Sequence, residues 1–165
     1  MPLLEDGRIV DDPWVTVADD APLPEAPTIL PLARLQREAA ALAGRNGPLG
    51  VALPPDVAPE AIAPLLGRLA LVELTLPSFR DGRAFTQARA LREHHGYTGE
   101  IRVGGHVIPD QYLALLRCGA STVVVPEGAD PAVWDAARRV IGIAYQHSAA
   151  PGHPLSLLRR KLEVA

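Results

Sequence analysis

Over residues 48–146, short apolar runs alternate with longer amphipathic stretches, and this alternation limits the possible fold more than any other feature of the chain. "PLGVALPP" (48–55) reads as a strand, and "APEAIAPLLGRLA" (58–70) reads as a helix in which Pro64 predicts a kink. "LVELTL" (71–76) is a strand, followed by the helix "AFTQARALREHHG" (84–96), closed by Gly96. "EIRVGG" (100–105) is a strand, followed by the helix "PDQYLALLRCG" (109–119), with Pro109 in its first turn and Gly119 at its end. "STVVVP" (121–126) is the last strand of the series. "DPAVWDAARRVIGIAYQ" (130–146) is a helix with Asp130 as N-cap and Pro131 at the first helical position. Strand alternating with helix at this spacing implies right-handed βαβ units on a mainly parallel sheet. The pattern gives about four βα units.

The chain of 165 residues fits one α/β domain. Residues 1–47 form an N-terminal extension and helix, 48–146 the βα core, and 147–165 a tail. In the extension, "GRIVDDPWVTVA" (7–18) holds short β-like pieces, and "DDAPLPEAPTILP" (19–31) reads as a proline-rich loop. "LARLQREAAALAG" (32–44) has apolar residues at helical spacing and stops at Gly44. The tail starts loose and ends in a predicted short basic helix, "PLSLLRRKLEV".

Two strands separate the candidate architectures. A parallel strand covered on both sides is apolar on both faces. Here Val72, Leu74 and Leu76 share one face, while Glu73 and Thr75 occupy the other. In the next strand Ile101 and Val103 oppose Arg102. One face is therefore helix-covered, and the other carries Glu73, Thr75 and Arg102. A partial TIM-like barrel turns those three toward its concave side. A flavodoxin-like sandwich buries them under helices, where charges need partners. The partial barrel is preferred, with a structural Glu73–Arg102 pair as an expectation of equal standing with a catalytic role.

Composition removes several function classes. The 16 basic and 19 acidic residues leave a net charge of −3, with no basic footprint for nucleic acid or a membrane surface. Aromatic residues are 4%, too few for a base-stacking platform. The single cysteine, Cys118, excludes an internal disulfide and an iron–sulfur site built from this chain alone. No apolar run reaches the length of a membrane span, and the amino-terminal residues do not read as a signal peptide, so a cytoplasmic location is expected. No GxGxxG, P-loop or CxxC motif is present, and no cofactor is evident.

Ligands of parallel α/β sheets bind at the carboxyl ends of the strands. "PSFRDGRAF", "GGHVIPDQ" and "PEGADP" are such loops, so Asp81, Arg83, His106, Asp110 and Gln111 are expected on one rim. Asp81 reads first as a cap for the helix starting near Gly82, and Gly82 as a residue supplying a positive φ. Arg83 is placed to hold an anion with its fork of donors. Gly104-Gly105-His106 before a helix resembles an anion nest. Arg89 and Glu93 form an i,i+4 pair on a solvated face. His94 and His95 suit a helix end rather than a metal site. Cys118, Trp14 and Trp134 read as packing residues.

Taken together, Asp81-Gly82-Arg83, Ala88-Arg89, Leu91-Arg92, Gly96-Tyr97, Gly99-Glu100, Arg102, Gly105, Asp110-Gln111 and Arg117-Cys118-Gly119 resemble the bacterial DUF934 family, a domain of unknown function. Tyr145-Gln146 resembles a further family feature. Val103, His106 and Ala120 depart from the pattern, standing where alanine, an acidic residue and an aromatic are usual. The resemblance implies a gene neighbouring that of sulfite/nitrite reductase and a role described as a probable oxidoreductase in sulfite reduction. The expected function is accordingly an accessory or regulatory protein of assimilatory sulfite reduction. It would bind the reductase or a small oxyanion through Arg83, Arg102, Gly104, Gly105, His106 and Gln111. The alternative is an enzyme acting on a sulfur- or phosphate-containing small molecule, with Asp81 or Asp110 as general base and the arginines as clamp.

Overall fold

A computed structural model describes residues 1–142 and 148–149. Its centre is one sheet of eight strands: β1 (Leu3–Glu5), β2 (Arg8–Val10), β3 (Val15–Thr16), β4 (Thr28–Pro31), β5 (Leu49–Leu53), β6 (Leu71–Leu76), β7 (Glu100–Gly105) and β8 (Thr122–Val124). Their order is β2-β1-β8-β7-β6-β5-β4-β3. β3 through β8 run parallel, each beside the next in sequence, while β1 and β2 close one end as antiparallel strands. The helices are α1 (Leu32–Glu38), α2 (Arg83–Glu93), α3 (Pro109–Arg117) and α4 (Pro131–Arg139), with a 3₁₀ run at Pro59–Arg68 between β5 and β6.

Each crossover from β4 onward steps to the adjacent strand in the same direction. Right-handed connections of that kind bring all the helices to one face. Val72, Leu74 and Leu76 of β6 and Ile101 and Val103 of β7 are fully buried on that face. Helix α2 answers with Ala84, Gln87, Ala88 and Leu91, a buried stripe at i, i+3, i+4 and i+7. Full burial of a leucine such as Leu91 contributes roughly 1.5–3 kcal/mol.

The connection from β2 to β3 fixes the curvature. Asp11–Trp14 alone join the two edge strands. An extended segment of that length spans at most about 18 Å, whereas eight flat strands would hold their edges roughly 34 Å apart. The sheet therefore curls into a half-barrel, with its helices outside and the strap Asp11–Trp14 crossing its open side. The partial-barrel expectation holds.

Several elements differ from the sequence reading. Residues 28–31, expected within a loop, form β4, and Thr28, Ile29 and Leu30 are buried. Pro27 precedes this strand and Pro31 is its last residue, and together they hide its signal. With α1 it adds a fifth βα unit. The helix expected over 58–70 is 3₁₀ throughout, because Pro64 lacks the N–H that an α-turn needs. Helix α4 starts as expected, with the Asp130 carboxylate accepting Ala132 N–H at 2.9 Å, and ends at Arg139. The expected continuation to Gln146, the Tyr145-Gln146 feature and the basic tail helix fall largely or wholly outside the described residues. Among the described residues no helix is long and apolar enough to cross a membrane.

Candidate functional site

The rim at the carboxyl ends of the strands is built from the loop after β6, the start of α2, and the β7–α3 turn. Asp81 lies two residues before the helix and holds Arg83. The guanidinium donates from Nε to Oδ1 at 2.9 Å and from Nη2 to Oδ2 at 2.6 Å, and Arg83 N–H donates to Oδ1 at 3.2 Å. Asp81 thus serves the first helical amide, but Gly82 is the N-cap residue, and at φ −88° it needs no left-handed backbone. The Arg83 hydrogen bond holds the Asp81 carboxyl below its ordinary range, so Asp81 is a weak base at neutral pH.

Gln111 ties two rim loops together. Its Oε1 accepts Ile108 N–H at 3.3 Å, and its Nε2 donates to the Phe79 carbonyl at 3.4 Å. His106 is exposed just after the end of β7. The Gly104-Gly105 turn has another use than the one its sequence suggests. Gly105 has φ +91°, and a Cβ there would collide with the Leu76 carbonyl. His106 N–H donates to Leu76 O at 2.8 Å and Val107 N–H to Gly105 O at 3.0 Å. The amides of 106–108 are thus engaged, and Gly105 lets the ends of β6 and β7 approach. Asp110 faces elsewhere, lining an open groove between α3 and α4 with Leu113, Ala114, Arg117, Ala137 and Val140. The rim therefore gathers Asp81, Arg83, His106 and Gln111 but not Asp110.

Arg102 lies below the rim on the concave face, its side chain 3% exposed. Nη1 and Nη2 donate to the two carboxylate oxygens of Asp12, both at 2.9 Å. Nε and Nη2 also donate to Glu100 Oε1 at 3.3 and 3.2 Å, and Thr122 Oγ1 donates to the same oxygen at 2.6 Å. Glu73 sits directly across the strand pair from Arg102, yet Arg102 donates to Asp12 and Glu100 instead. Burial raises the Glu73 carboxyl above its ordinary range. Arg102 opposes that effect and Asp12 adds to it. Sequence reasoning placed Glu73 and Arg102 on one face but did not identify Asp12, because ninety residues separate it from Arg102. The alternating polar positions of β7 were the available signal for Glu100.

A third polar centre lies at the opposite end of the half-barrel. Arg92 donates to the carbonyls of Gly119 (3.0 Å), Tyr97 (2.6 Å) and Gly99 (2.8 Å) and to Ser121 Oγ (3.0 Å). Its guanidinium stands 5.7 Å from the Tyr97 ring centroid, and Tyr97 donates its hydroxyl to Leu69 O at 3.1 Å. Glu5, Asp6, Arg92, Tyr97 and Ser121 line an open cleft of about 470 Å³ here. Arg92, Gly96-Tyr97, Gly99 and Gly119, which carry much of the sequence resemblance, thus hold loops together. Burial also raises the Cys118 thiol, which keeps it protonated and unreactive at neutral pH.

The fold and site define a half-barrel α/β protein with an internally bonded polar rim and a buried carboxylate–guanidinium cluster beneath it. Residues 50–156 match the family described as bacterial protein of unknown function (DUF934), and the chain belongs to that family. No curated protein matches the chain.

Proposed function

We propose that this chain is an accessory protein of assimilatory sulfite reduction that binds the sulfite reductase through the rim at the carboxyl ends of its strands. The pathway rests on the family resemblance. The mode of action rests on one observation: the loop after β6 presents Phe79, 56% exposed, beside the exposed Arg80. Its backbone is held from below, since Asp81 N–H donates to Ser78 O at 3.1 Å and Gln111 to Phe79 O. An aromatic and an arginine on a pre-ordered loop are side chains that anchor protein interfaces. The arginines expected to clamp a free oxyanion are committed to carboxylates, which favours a protein partner over a small anion.

Two measurements test this reading. Deleting the gene should abolish growth on sulfate and sulfite as sole sulfur source, with rescue by sulfide. The purified chain should retain the reductase from solution, and Phe79→Ala with Arg80→Ala should lose at least about tenfold in affinity. Normal growth on sulfite, or binding indifferent to both substitutions, overturns it. The enzyme alternative finds a better general base in Glu73, half-buried and held toward its neutral form, than in Asp81. Loss of growth rescue by Glu73→Gln with reductase binding intact would select it.

A further inference from the structure

The strap Asp11–Trp14 is held to the concave face through Asp12. Both of its carboxylate oxygens take the Arg102 fork, and Oδ1 also accepts Trp14 N–H at 3.1 Å. The two ends of this contact differ in environment: Arg102 is 3% exposed and Asp12 34%. Water therefore reaches the carboxylate more readily than the guanidinium, and Asp12 is the partner able to leave. Around Arg102 stand three carboxyl groups: Asp12 from the strap, Glu100 from β7 itself, and Glu73 from β6. On the other side of Glu73, its register neighbour on β5 is Ala52, which brings no charge. One cation thus faces three potential anions, and among the described residues Glu73 has no hydrogen bond to it. A bidentate carboxylate is a strong but exchangeable partner for arginine, and an unpaired carboxylate in this half-buried setting competes for it.

We propose that Asp11–Trp14 is a latch over the half-barrel set by the charge on Glu73: a neutral Glu73 leaves Arg102 to Asp12 and the strap closed, and an ionised Glu73 draws Arg102 away and repels Asp12, releasing the strap. The sign follows from linkage. Strap closure buries Glu73 and brings the Asp12 charge near it, and both effects disfavour its anion. A group whose pKa is raised in the closed state stabilises that state fully at low pH, and the stabilisation is lost as pH rises through the closed-state pKa. Opening widens access to the half-buried Glu73 and the buried Arg102, beside Thr75, which is already exposed on the concave face. The device is separate from the rim contact and stands whether or not that contact exists.

Trp14 reports on the strap, because Trp134 is 3% exposed in the core. Acrylamide quenching of the full chain, followed from about pH 5 to about pH 8, is expected to increase with pH, with the opening equilibrium growing about tenfold for each unit by which closure raises the Glu73 pKa. Glu73→Gln should hold quenching at its low value throughout the range, and Asp12→Asn should hold it at the high value. A flat wild-type profile, or a pH response that survives in Glu73→Gln, overturns the latch. Should Glu73→Gln fail to fold, carboxyl ¹³C NMR of Glu73 in the Asp12→Asn chain decides. Its pKa should fall below the wild-type value, and an unchanged pKa refutes the linkage.

Discussion

Replacing Arg92 by methionine keeps an apolar stem against Tyr97 but removes every donor of the guanidinium. Three backbone carbonyls lose the guanidinium, and the Ser121 hydroxyl loses one of its two donors, keeping Ile101 N–H. A hydrogen bond from a charged donor contributes about 1.5–3 kcal/mol, so a plain sum over four bonds would be large. The sum overstates the loss, since the neighbouring cleft is open and water can reach part of the vacated site. Burial also lowers the Arg92 pKa, which shows that desolvating the cation already offsets part of the gain. A net loss of about 3–5 kcal/mol remains. For a domain of this size that corresponds to a fall in Tm of about 10 °C. Urea unfolding followed by circular dichroism measures it directly. Gly119→Ala supplies an internal check. A Cβ there would overlap Arg92 Cγ, so its penalty should shrink in an Arg92→Ala background, which removes that Cγ, by the part due to the overlap, while the strain of φ +105° persists. A loss below about 1 kcal/mol for Arg92→Met would refute the reasoning, because it would mean that the carbonyls are served without the guanidinium.

Gly105→Ala should destabilise by about 2–4 kcal/mol, whereas Gly104→Ala should stay within about 1 kcal/mol. The added Cβ meets the Leu76 carbonyl at φ +91° in the first case and lies 3.6 Å from Val124 Cβ in the second, and paired urea titrations separate them. Asp81→Asn should destabilise at neutral pH and not in strong acid. The carboxyl is depressed by Arg83, so its contribution is present above the unfolded-state pKa and lost as pH falls through the lower folded-state value. The window lies below about pH 4, and added salt should narrow the difference because the pair is exposed. A wild-type and variant gap that widens in acid would contradict the assigned pairing.

What the sequence determined by itself is the part of the fold that depends on local periodicity. Alternating residues in β6 and β7 assign Val72, Leu74, Leu76, Ile101 and Val103 to one face and Glu73, Thr75 and Arg102 to the other, because the strand period is set by the backbone alone. Pro109, Asp130 and Pro131 mark helix starts for equally local reasons, namely a fixed φ and a side-chain acceptor. The βα order then limits the architecture to a mainly parallel sheet. The tertiary structure alone decided the partners. Arg102 is bound by Asp12, whose position opposite it follows from a short strap across a curled sheet, a relation that no local spacing carries. Gly104-Gly105 resembles an anion nest in sequence, but the register of β6 against β7 turns it into a close backbone crossing. Arg92 looks like one of several surface arginines on α2, and only the convergence of the loops at Tyr97, Gly99 and Gly119 makes it their common donor. Charged side chains are long enough to choose among several partners, and that choice is made by the assembled fold.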